Sequence, residues 1–175
     1  MNYATIKNCD IANGVGVRVS LFVSGCTHRC KNCFNKEAWD FNYGKEFDEK
    51  VQNELLSMLE PAYIKGLSLL GGEPFEICNV EGLLPFVRKV AKMKDKNVWA
   101  YSGYTLEQLL ARQGRDGENT KELLSYIDIL VDGPFIEEKK DLMLKFRGSA
   151  NQRLIDLKQT LTKGEIVLAD IKDRK

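Results

Sequence analysis

The chain has 175 residues, of which 43% are hydrophobic and 29% charged, and its formal net charge at neutral pH is +1. This composition is typical of one globular domain spanning residues 1–175, and it excludes an intrinsically disordered chain. The balanced charge excludes nucleic-acid binding by bulk positive charge. There is no apolar run of membrane-spanning length and no apolar signal-peptide core, so we expect a cytoplasmic protein without membrane contacts.

Strands alternate with helices along most of the chain. The predicted elements are, in order, a strand over Val15–Val23, a helix over 47–59, a strand over Gly66–Leu70, a helix over Asn79–Met93, a strand over Asn97–Tyr101, a helix opened by a capping box of Thr105 and Gln108, a polar loop over 113–119, a short helix over Thr120–Tyr126, and strands over Ile127–Val131, Leu154–Leu157 and Glu165–Ala169. Pro85 favours a regular helix only from about Leu84, because proline suits the first helical turn. The alternation predicts an α/β protein with a mostly parallel sheet, in which ligands bind at the carboxyl ends of the strands.

Three of the five cysteines are clustered, and the cluster follows the first predicted strand. Cys26, Cys30 and Cys33 lie within eight residues, whereas Cys9 and Cys78 stand alone and are expected to be small buried hydrophobic residues. An odd number of cysteines without a signal peptide does not favour a disulfide framework. The spacing therefore indicates a metal ion or an iron–sulfur cluster.

Three thiolates do not complete a four-coordinate metal site. A structural zinc ion would need a fourth ligand from His28, Cys9 or Cys78. An iron–sulfur cube held by three thiolates instead leaves its fourth iron open to a small molecule, and an open position is the mark of a catalytic metal. The residues alone leave both interpretations open.

A second motif makes the pattern resemble a known superfamily. Gly71-Gly72-Glu73-Pro74 follows the second predicted strand and would lie at the same sheet edge as the cysteines. Cys-x3-Cys-x2-Cys followed by Gly-Gly-Glu-Pro, each after a strand, resembles the radical S-adenosylmethionine superfamily. Asn32 stands where many superfamily members carry an aromatic residue.

Further segments resemble a narrower family, the anaerobic ribonucleoside-triphosphate reductase activating proteins, which also tend to lack that aromatic residue. The similar segments are 25–35, 101–105, 132–135 and 146–153. The resemblance implies a single radical S-adenosylmethionine domain folded as an open, partial (β/α) barrel. It also implies a [4Fe–4S] cluster held by Cys26, Cys30 and Cys33, with S-adenosylmethionine bound to the open iron.

The same resemblance implies an enzyme, an oxidoreductase that activates another protein. Reductive cleavage of S-adenosylmethionine would give a radical that removes a hydrogen atom from a glycine of the large subunit of the anaerobic ribonucleotide reductase. Reduced flavodoxin or a similar protein would donate the electron. The alternatives are an activase of another glycyl-radical enzyme such as pyruvate formate-lyase, an enzyme acting on a small molecule, or a small zinc-binding interaction module.

Several residues are expected to contact the bound S-adenosylmethionine, again by resemblance. Gly71, Gly72, Glu73 and Pro74 would meet its methionine end, with Glu73 accepting a hydrogen bond from the ammonium group; an ordinary turn is the alternative. Asn32 and Phe34 would lie near the adenine, although Phe34 also suits the core, and Cys33 would contact the cofactor as well as hold the cluster. Ser102 and Asp132 end later strands and would contact the ribose or the ammonium group, or form turns.

The roles of four polar side chains are less defined. His28 is expected to face solvent or to support the cysteines without being a ligand. Arg147, Gln152 and Arg153 would line the site, touch the partner reductase or lie in a solvated loop.

Overall fold

The computed structural model describes residues 1–171, which contain one seven-stranded sheet and five α-helices. The strands are β1 (Asn2–Asp10), β2 (Val17–Val23), β3 (Lys45–Glu46), β4 (Ile64–Gly71), β5 (Asn97–Tyr101), β6 (Ile129–Asp132) and β7 (Arg153–Asp156). The helices are α1 (Glu49–Leu59), α2 (Ile77–Val90), α3 (Leu106–Leu110), α4 (Gly114–Tyr126) and α5 (Leu157–Lys163). None of these helices, within residues 1–171, has the length and apolar character needed to cross a bilayer.

The strand order in the sheet is β3-β1-β2-β4-β5-β6-β7. The central strands β2, β4, β5 and β6 pair in parallel, and the remaining pairings, of β1 with β2, β1 with β3 and β6 with β7, are antiparallel. The predicted α/β class with a parallel sheet is confirmed for this central block. The sheet is not closed, and a partial barrel of the radical S-adenosylmethionine type is not confirmed.

The two faces of the central strands are both buried but differ in chemistry. Val19, Leu21 and Val23 of β2 belong to the apolar core that also includes the buried side chains of the helices. Because side chains alternate along a strand, Arg18 and Ser20 point to the opposite face, and both are fully buried there. Loops, rather than helices, cover that second face.

Arg18 is stabilised on the loop-covered face by a dense set of acceptors. Its guanidinium donates to Ser68 Oγ, Asn97 Oδ1 and the Leu67 carbonyl, each at 2.7 Å. The group also lies 5.4 Å from the ring of Trp99. Burial lowers the pKa of Arg18 to about 10, so the side chain stays charged at neutral pH. Such complete pairing is what a buried charge requires.

The predicted helices over Asn79–Met93 and Thr120–Tyr126 are present as parts of α2 and α4, but two details were wrong: the start of the regular helix near Leu84, which rested on Pro85, and the polar loop over 113–119. Helix α2 begins at Ile77 and carries Pro85 in its interior, since a long buried stripe, from Val80 to Val90, packs against the sheet and outweighs the lost hydrogen bond. The predicted loop over 113–119 is the first half of α4. Gly117 is required there because a Cβ would lie 2.2 Å from the Arg112 carbonyl oxygen.

The strand predictions failed at the two ends of the chain. Strand β1 was missed because its side chains are partly exposed and show no clean alternation. The segment Glu165–Ala169 was predicted as a strand, but it contributes only an isolated bridge between Leu168 and Ile155. Strand β7 was predicted almost in full. It pairs antiparallel with β6 and is the edge strand on that side of the sheet.

Candidate cluster and cofactor site

A cavity of about 570 Å³ opens at the carboxyl ends of the parallel strands, on the loop-covered face of the sheet. Its walls come from the cysteine loop (residues 26–33), the ends of β4 and β5, and the β6–β7 segment (residues 133–152). The lining includes all three clustered cysteines together with Asn13, His28, Asn32, Phe34, Trp39, Gly71, Gly72, Glu73, Tyr101, Ser102, Gly103, Phe135, Leu142, Phe146, Arg147 and Gln152. A second, more open depression between β1 and α1 has neither cysteine nor histidine in its lining.

Backbone hydrogen bonds hold the start of the cysteine loop against the end of β4. The Gly72 N–H donates to the Val23 carbonyl at 2.7 Å, and the Glu73 N–H donates to the Gly25 carbonyl at 2.8 Å. A Cβ on Gly72 would lie 2.5 Å from the Gly25 oxygen, and Gly71 has φ of +113°. The two glycines are therefore needed for this close approach and for the turn.

The carboxylate of Glu76 fixes the next residues of the cysteine loop. Thr27 donates to Glu76 Oε1 from its backbone N–H at 2.8 Å and from its hydroxyl at 2.6 Å. Arg29 and Asn32 both have positive φ, of 48° and 56°, and these turns direct the chain around the cavity wall. The loop thus has a defined conformation set by this chain's own residues.

All three clustered thiols are partly accessible from the cavity. Burial raises the pKa of Cys26 to about 11 and also raises the pKa of Cys30, so both are protonated at neutral pH when no cation is bound. A bound metal would displace these protons, because thiolate is the ligating form. No group of three or more His, Cys, Asp or Glu side chains in residues 1–171 is arranged around a single ion. The three thiols line one cavity and so fit a cluster, in which each thiolate would bind a different iron.

Glu73 is the most heavily bonded side chain of the site. Its carboxylate is almost fully buried and accepts four hydrogen bonds. The donors to Oε1 are Ser102 Oγ and the Phe75 N–H, both at 2.9 Å. The donors to Oε2 are the Gly103 N–H at 2.7 Å and His28 Nε2 at 3.0 Å. These four partners use the usual capacity of a carboxylate, so it accepts from the protein itself in this structure.

His28 lies inside the structure and supports the cysteine loop. Its side chain is only 18% exposed, and its ring centroid lies 4.3 Å from that of Tyr104. A Cβ on Gly103 would lie 2.6 Å from the imidazole, so this glycine makes room for the ring. The hydrogen bond to Glu73 is the main cause that raises the pKa of His28. Of the two roles predicted for His28, the geometry agrees with the supporting one.

Two of the predicted contact residues lie outside the cavity lining. Pro74 is buried behind it. Asp132 is also fully buried, and its carboxylate accepts from the Leu106 N–H at 2.7 Å and from the Arg153 guanidinium. Arg153 in turn binds Glu107 and likewise does not line the cavity.

Two other expectations for individual residues are corrected by their exposure. Phe34 is not a core residue, because its side chain is 85% exposed at the cavity mouth. Cys9 and Cys78 were expected to be buried, but both are exposed. Cys9 lies in an edge region of the sheet with φ of 59°, and Cys78 lies in the first turn of α2.

Arg147 and Gln152 line the cavity, which is one of the positions predicted for them. Arg147 Nη1 donates to the Gln152 carbonyl at 2.6 Å, and the Gln152 amide donates to the Gly133 carbonyl at 3.0 Å. The β6–β7 segment therefore has its own internal bonding, and Phe146 anchors it further by packing on Trp99 at 5.3 Å.

Several lining residues were not predicted from the sequence. Tyr101 could have been found, because it ends a predicted parallel strand and such ends border ligand sites. Asn13 lies in a loop and Trp39 in a short 3₁₀ helix, Lys36–Trp39, and neither carries a comparable signal because their positions depend on tertiary contacts.

The comparisons with known proteins agree with this site. Residues 12–155 match the family described as a 4Fe-4S single cluster domain, and they include the whole cysteine loop. The match and the thiol arrangement define an iron–sulfur protein of the single-cluster class.

Individual relatives make the assignment narrower. The chain is 44% identical to the anaerobic ribonucleoside-triphosphate reductase-activating protein of Haemophilus influenzae, over 87% of this chain and 96% of the relative. It is 46% identical to the protein of that name in Pasteurella multocida, over 87% and 95%, and 41% identical to that in Vibrio cholerae, over 87% and 96%. The chain belongs to the family of anaerobic ribonucleoside-triphosphate reductase-activating proteins, as its resemblance predicts.

Proposed function

We propose that this protein binds a [4Fe–4S] cluster through Cys26, Cys30 and Cys33, binds S-adenosylmethionine beside it, and installs a glycyl radical on an anaerobic ribonucleotide reductase. The observation that carries the proposal is the joint opening of three thiols and the Glu73–Ser102 pair into one cavity. The donor set, three thiols that line one cavity, suits such a cluster.

Cys26, Cys30 and Cys33 would hold the cluster, which would supply the electron for reductive cleavage of S-adenosylmethionine and so provide the oxidant for removal of the glycine hydrogen atom. The chain's own residues supply position. Thr27, Glu73 and Glu76 hold the cysteine loop on the sheet edge, so the thiols stay on one wall of the cavity. The β6–β7 segment forms the opposite wall, where the hydrogen bonds of Arg147 to the Gln152 carbonyl and of Gln152 to the Gly133 carbonyl hold it in place.

The target is proposed from the relatives, which are named as activating proteins of anaerobic ribonucleoside-triphosphate reductase. The cavity mouth supports a protein substrate. Phe34 and Leu142 are 85% and 88% exposed, and they come from two different loops that line the cavity; Met143, the neighbour of Leu142, is 87% exposed. Exposed apolar side chains grouped around an opening are typical of protein contact. Reduced flavodoxin or a similar donor would supply the electron.

The test is an anaerobic assay of the reconstituted protein. The protein is loaded with iron and sulfide, reduced with dithionite and mixed with S-adenosylmethionine, and 5′-deoxyadenosine and methionine are measured with and without the purified reductase. We expect both products, and a glycyl radical detected by electron paramagnetic resonance only when the reductase is present. A variant with Cys26, Cys30 and Cys33 all replaced by alanine is the control.

Two results would overturn the proposal. One is absence of deoxyadenosine above the control from fully loaded protein in the presence of the reductase. The other is purification with one zinc ion per chain and no uptake of iron and sulfide, which would favour a zinc-binding module. Radical formation on pyruvate formate-lyase instead of the reductase would change only the target.

A further inference from the structure

Asn79 is a buried polar side chain beside the site, and the proposed function does not yet use it. It lies in the first turn of α2, and only 1% of its surface is exposed. A buried polar group lowers stability unless hydrogen bonds compensate for the water it has lost. The partners of Asn79 therefore show what this residue does.

The partners of Asn79 are two carbonyl oxygens on different segments. Its Nδ2 donates to the Ser24 carbonyl and to the Glu73 carbonyl, each at 2.9 Å. Because a carbonyl oxygen can only accept, the NH₂ group and not Oδ1 must face both of them. Ser24 follows β2 and comes two residues before the first clustered cysteine, whereas Glu73 follows β4. One side chain thus joins the start of the cysteine loop to the Gly71–Glu73 turn.

The Asn79 side chain completes the hydrogen bonding of the backbone that leads into the cysteine loop. Along residues 23–25, the first and third carbonyls accept from the N–H groups of Gly72 and Glu73. The middle carbonyl, that of Ser24, accepts from Asn79. Because Asn79 belongs to a helix whose apolar side chains lie in the core, it also fixes both segments to the body of the protein.

We infer that Asn79 is a positioning residue, which holds the cysteine loop and the Gly71–Glu73 turn in a fixed relation and thereby sets the cluster relative to S-adenosylmethionine. The inference rests on the proposed function for these two ligands. Its structural half does not, because both hydrogen bonds join parts of the protein itself. Asn79 lies outside the cavity lining, so it acts through the two segments and not by touching a ligand.

Asn79→Leu removes both donors at a similar side-chain volume. Two buried carbonyls then lose their donor, so both segments should open more often. In the cluster-free protein we expect alkylation of Cys26 and amide exchange at residues 71–73 to become about 10-fold faster. In protein with a full cluster, kept oxidised so that no cleavage occurs, we expect the affinity for S-adenosylmethionine to fall about 5- to 10-fold.

Val87→Ala is the matched control for a general loss of stability. Val87 is fully buried in the same helix, but it packs in the apolar core. Its truncation leaves a cavity there and should destabilise the protein without releasing the cysteine loop. We therefore expect a lower free energy of unfolding together with wild-type alkylation, exchange and ligand affinity.

Asn79→Asp is a second variant that keeps the shape of the side chain. A carboxylate has no donor, and a protonated carboxyl group donates one hydrogen bond where the amide donates two. We expect faster alkylation and exchange and weaker binding than in the wild type. This variant carries the same test if Asn79→Leu does not fold.

The experiment compares the wild type with Asn79→Leu, Asn79→Asp and Val87→Ala. Chemical denaturation gives the stability of each cluster-free protein. Mass spectrometry follows alkylation and amide exchange, with the exposed Cys9 as internal reference. Equilibrium dialysis gives the affinity of the oxidised, loaded proteins for S-adenosylmethionine at equal iron and sulfide content. Wild-type alkylation and exchange in the Asn79 variants would overturn the inference, as would an equal acceleration in Val87→Ala.

The dialysis result separates this inference from the proposed function. Weaker binding by the Asn79 variants than by Val87→Ala supports the positioning role. Wild-type affinity in the Asn79 variants would overturn it, because the ligand would then not depend on the fixed relation of the two segments. Failure of the wild type itself to bind S-adenosylmethionine refutes the proposed function and the ligand half of the inference. Alkylation and exchange then still decide whether Asn79 joins the two segments.

Discussion

Glu73 and Asp132 are both buried carboxylates at the carboxyl end of a parallel strand, yet they serve different regions of the molecule. Glu73 lines the cavity and binds His28 from the cysteine loop. Asp132 lies outside the cavity lining and binds Arg153 and the first turn of α3. A position at a strand end therefore does not by itself determine the role of a carboxylate. The groups that bind the carboxylate determine it. If the two carboxylates have separate roles, a substitution of Glu73 should affect the cysteine loop and a substitution of Asp132 should not.

The largest effect on stability is expected from Asp132→Ala. The change leaves the Arg153 guanidinium without its buried partner and the Leu106 N–H without an acceptor. Arg153 is partly exposed and keeps its ion pair with Glu107, and both features limit the cost. We expect a loss of about 3 kcal/mol in the free energy of unfolding. Chemical denaturation of the cluster-free protein measures it. A marked drop in iron uptake by the folded variant would show that Asp132 also supports the cysteine site, which would contradict separate roles for the two carboxylates.

Glu73→Gln should destabilise less but reach the cysteines. The amide keeps one acceptor oxygen and places an NH₂ group among donors from Gly103, Ser102 and Phe75. We expect a loss of about 2 kcal/mol in the free energy of unfolding. We also expect faster alkylation of Cys26 and Cys30 in the cluster-free protein, measured by mass spectrometry. Unchanged alkylation rates would show that Glu73 does not hold the loop.

His28→Ala tests the connection between the cysteine loop and Glu73 from the loop side. It removes one hydrogen bond to Glu73 and the ring contact with Tyr104, for an expected loss of about 1 kcal/mol. Cys26 and Cys30 should again be alkylated faster, while exposed Cys9 and Cys78 react as in the wild type and serve as internal controls. His28→Gln, which retains a donor, should recover part of the protection. Equal rates in all three proteins would contradict the assigned role.

The smallest effect is expected at Glu107, on the Asp132 side. The hydrogen bond from Arg153 is the main cause that lowers the pKa of Glu107 to about 2. A lowered pKa in the folded state gives stability that is present above the ordinary value of 4.5 and is lost as the pH falls through about 2. Because the side chain is 58% exposed, we expect Glu107→Gln to cost under about 1 kcal/mol at pH 7.

Denaturation at pH 7 and pH 3 tests this prediction. The difference between wild type and Glu107→Gln should narrow at pH 3, because part of the wild-type contribution has then been lost. A difference that widens on acidification would contradict the assigned sign.

The sequence was most informative where local pattern and tertiary role agree. The strand Asn97–Tyr101 and the capping box of Thr105 and Gln108 were predicted as found. The cysteine loop and Gly71–Gly72 were correctly expected to meet, because carboxyl ends of parallel strands share one edge.

The failures have physical causes that local pattern does not contain. Pro85 and Gly117 both have low intrinsic helix propensity, yet both lie inside helices. The buried apolar stripe of α2 stabilises the helix around Pro85, and the close approach of the Arg112 carbonyl leaves no room for a side chain at position 117. Asp132 was indistinguishable from Glu73 in sequence, since its partner Arg153 is 21 residues away and on an antiparallel strand.

The central claim is that Cys26, Cys30 and Cys33, and no other cysteines, hold a [4Fe–4S] cluster. The most direct measurement is iron and sulfide content after anaerobic reconstitution of five single alanine variants, one for each cysteine. We predict a full cluster complement in the wild type and in the Cys9 and Cys78 variants, and loss of the intact cluster in the other three. A full, stable complement in Cys26→Ala, Cys30→Ala or Cys33→Ala, or its loss in Cys9→Ala or Cys78→Ala, would contradict the account.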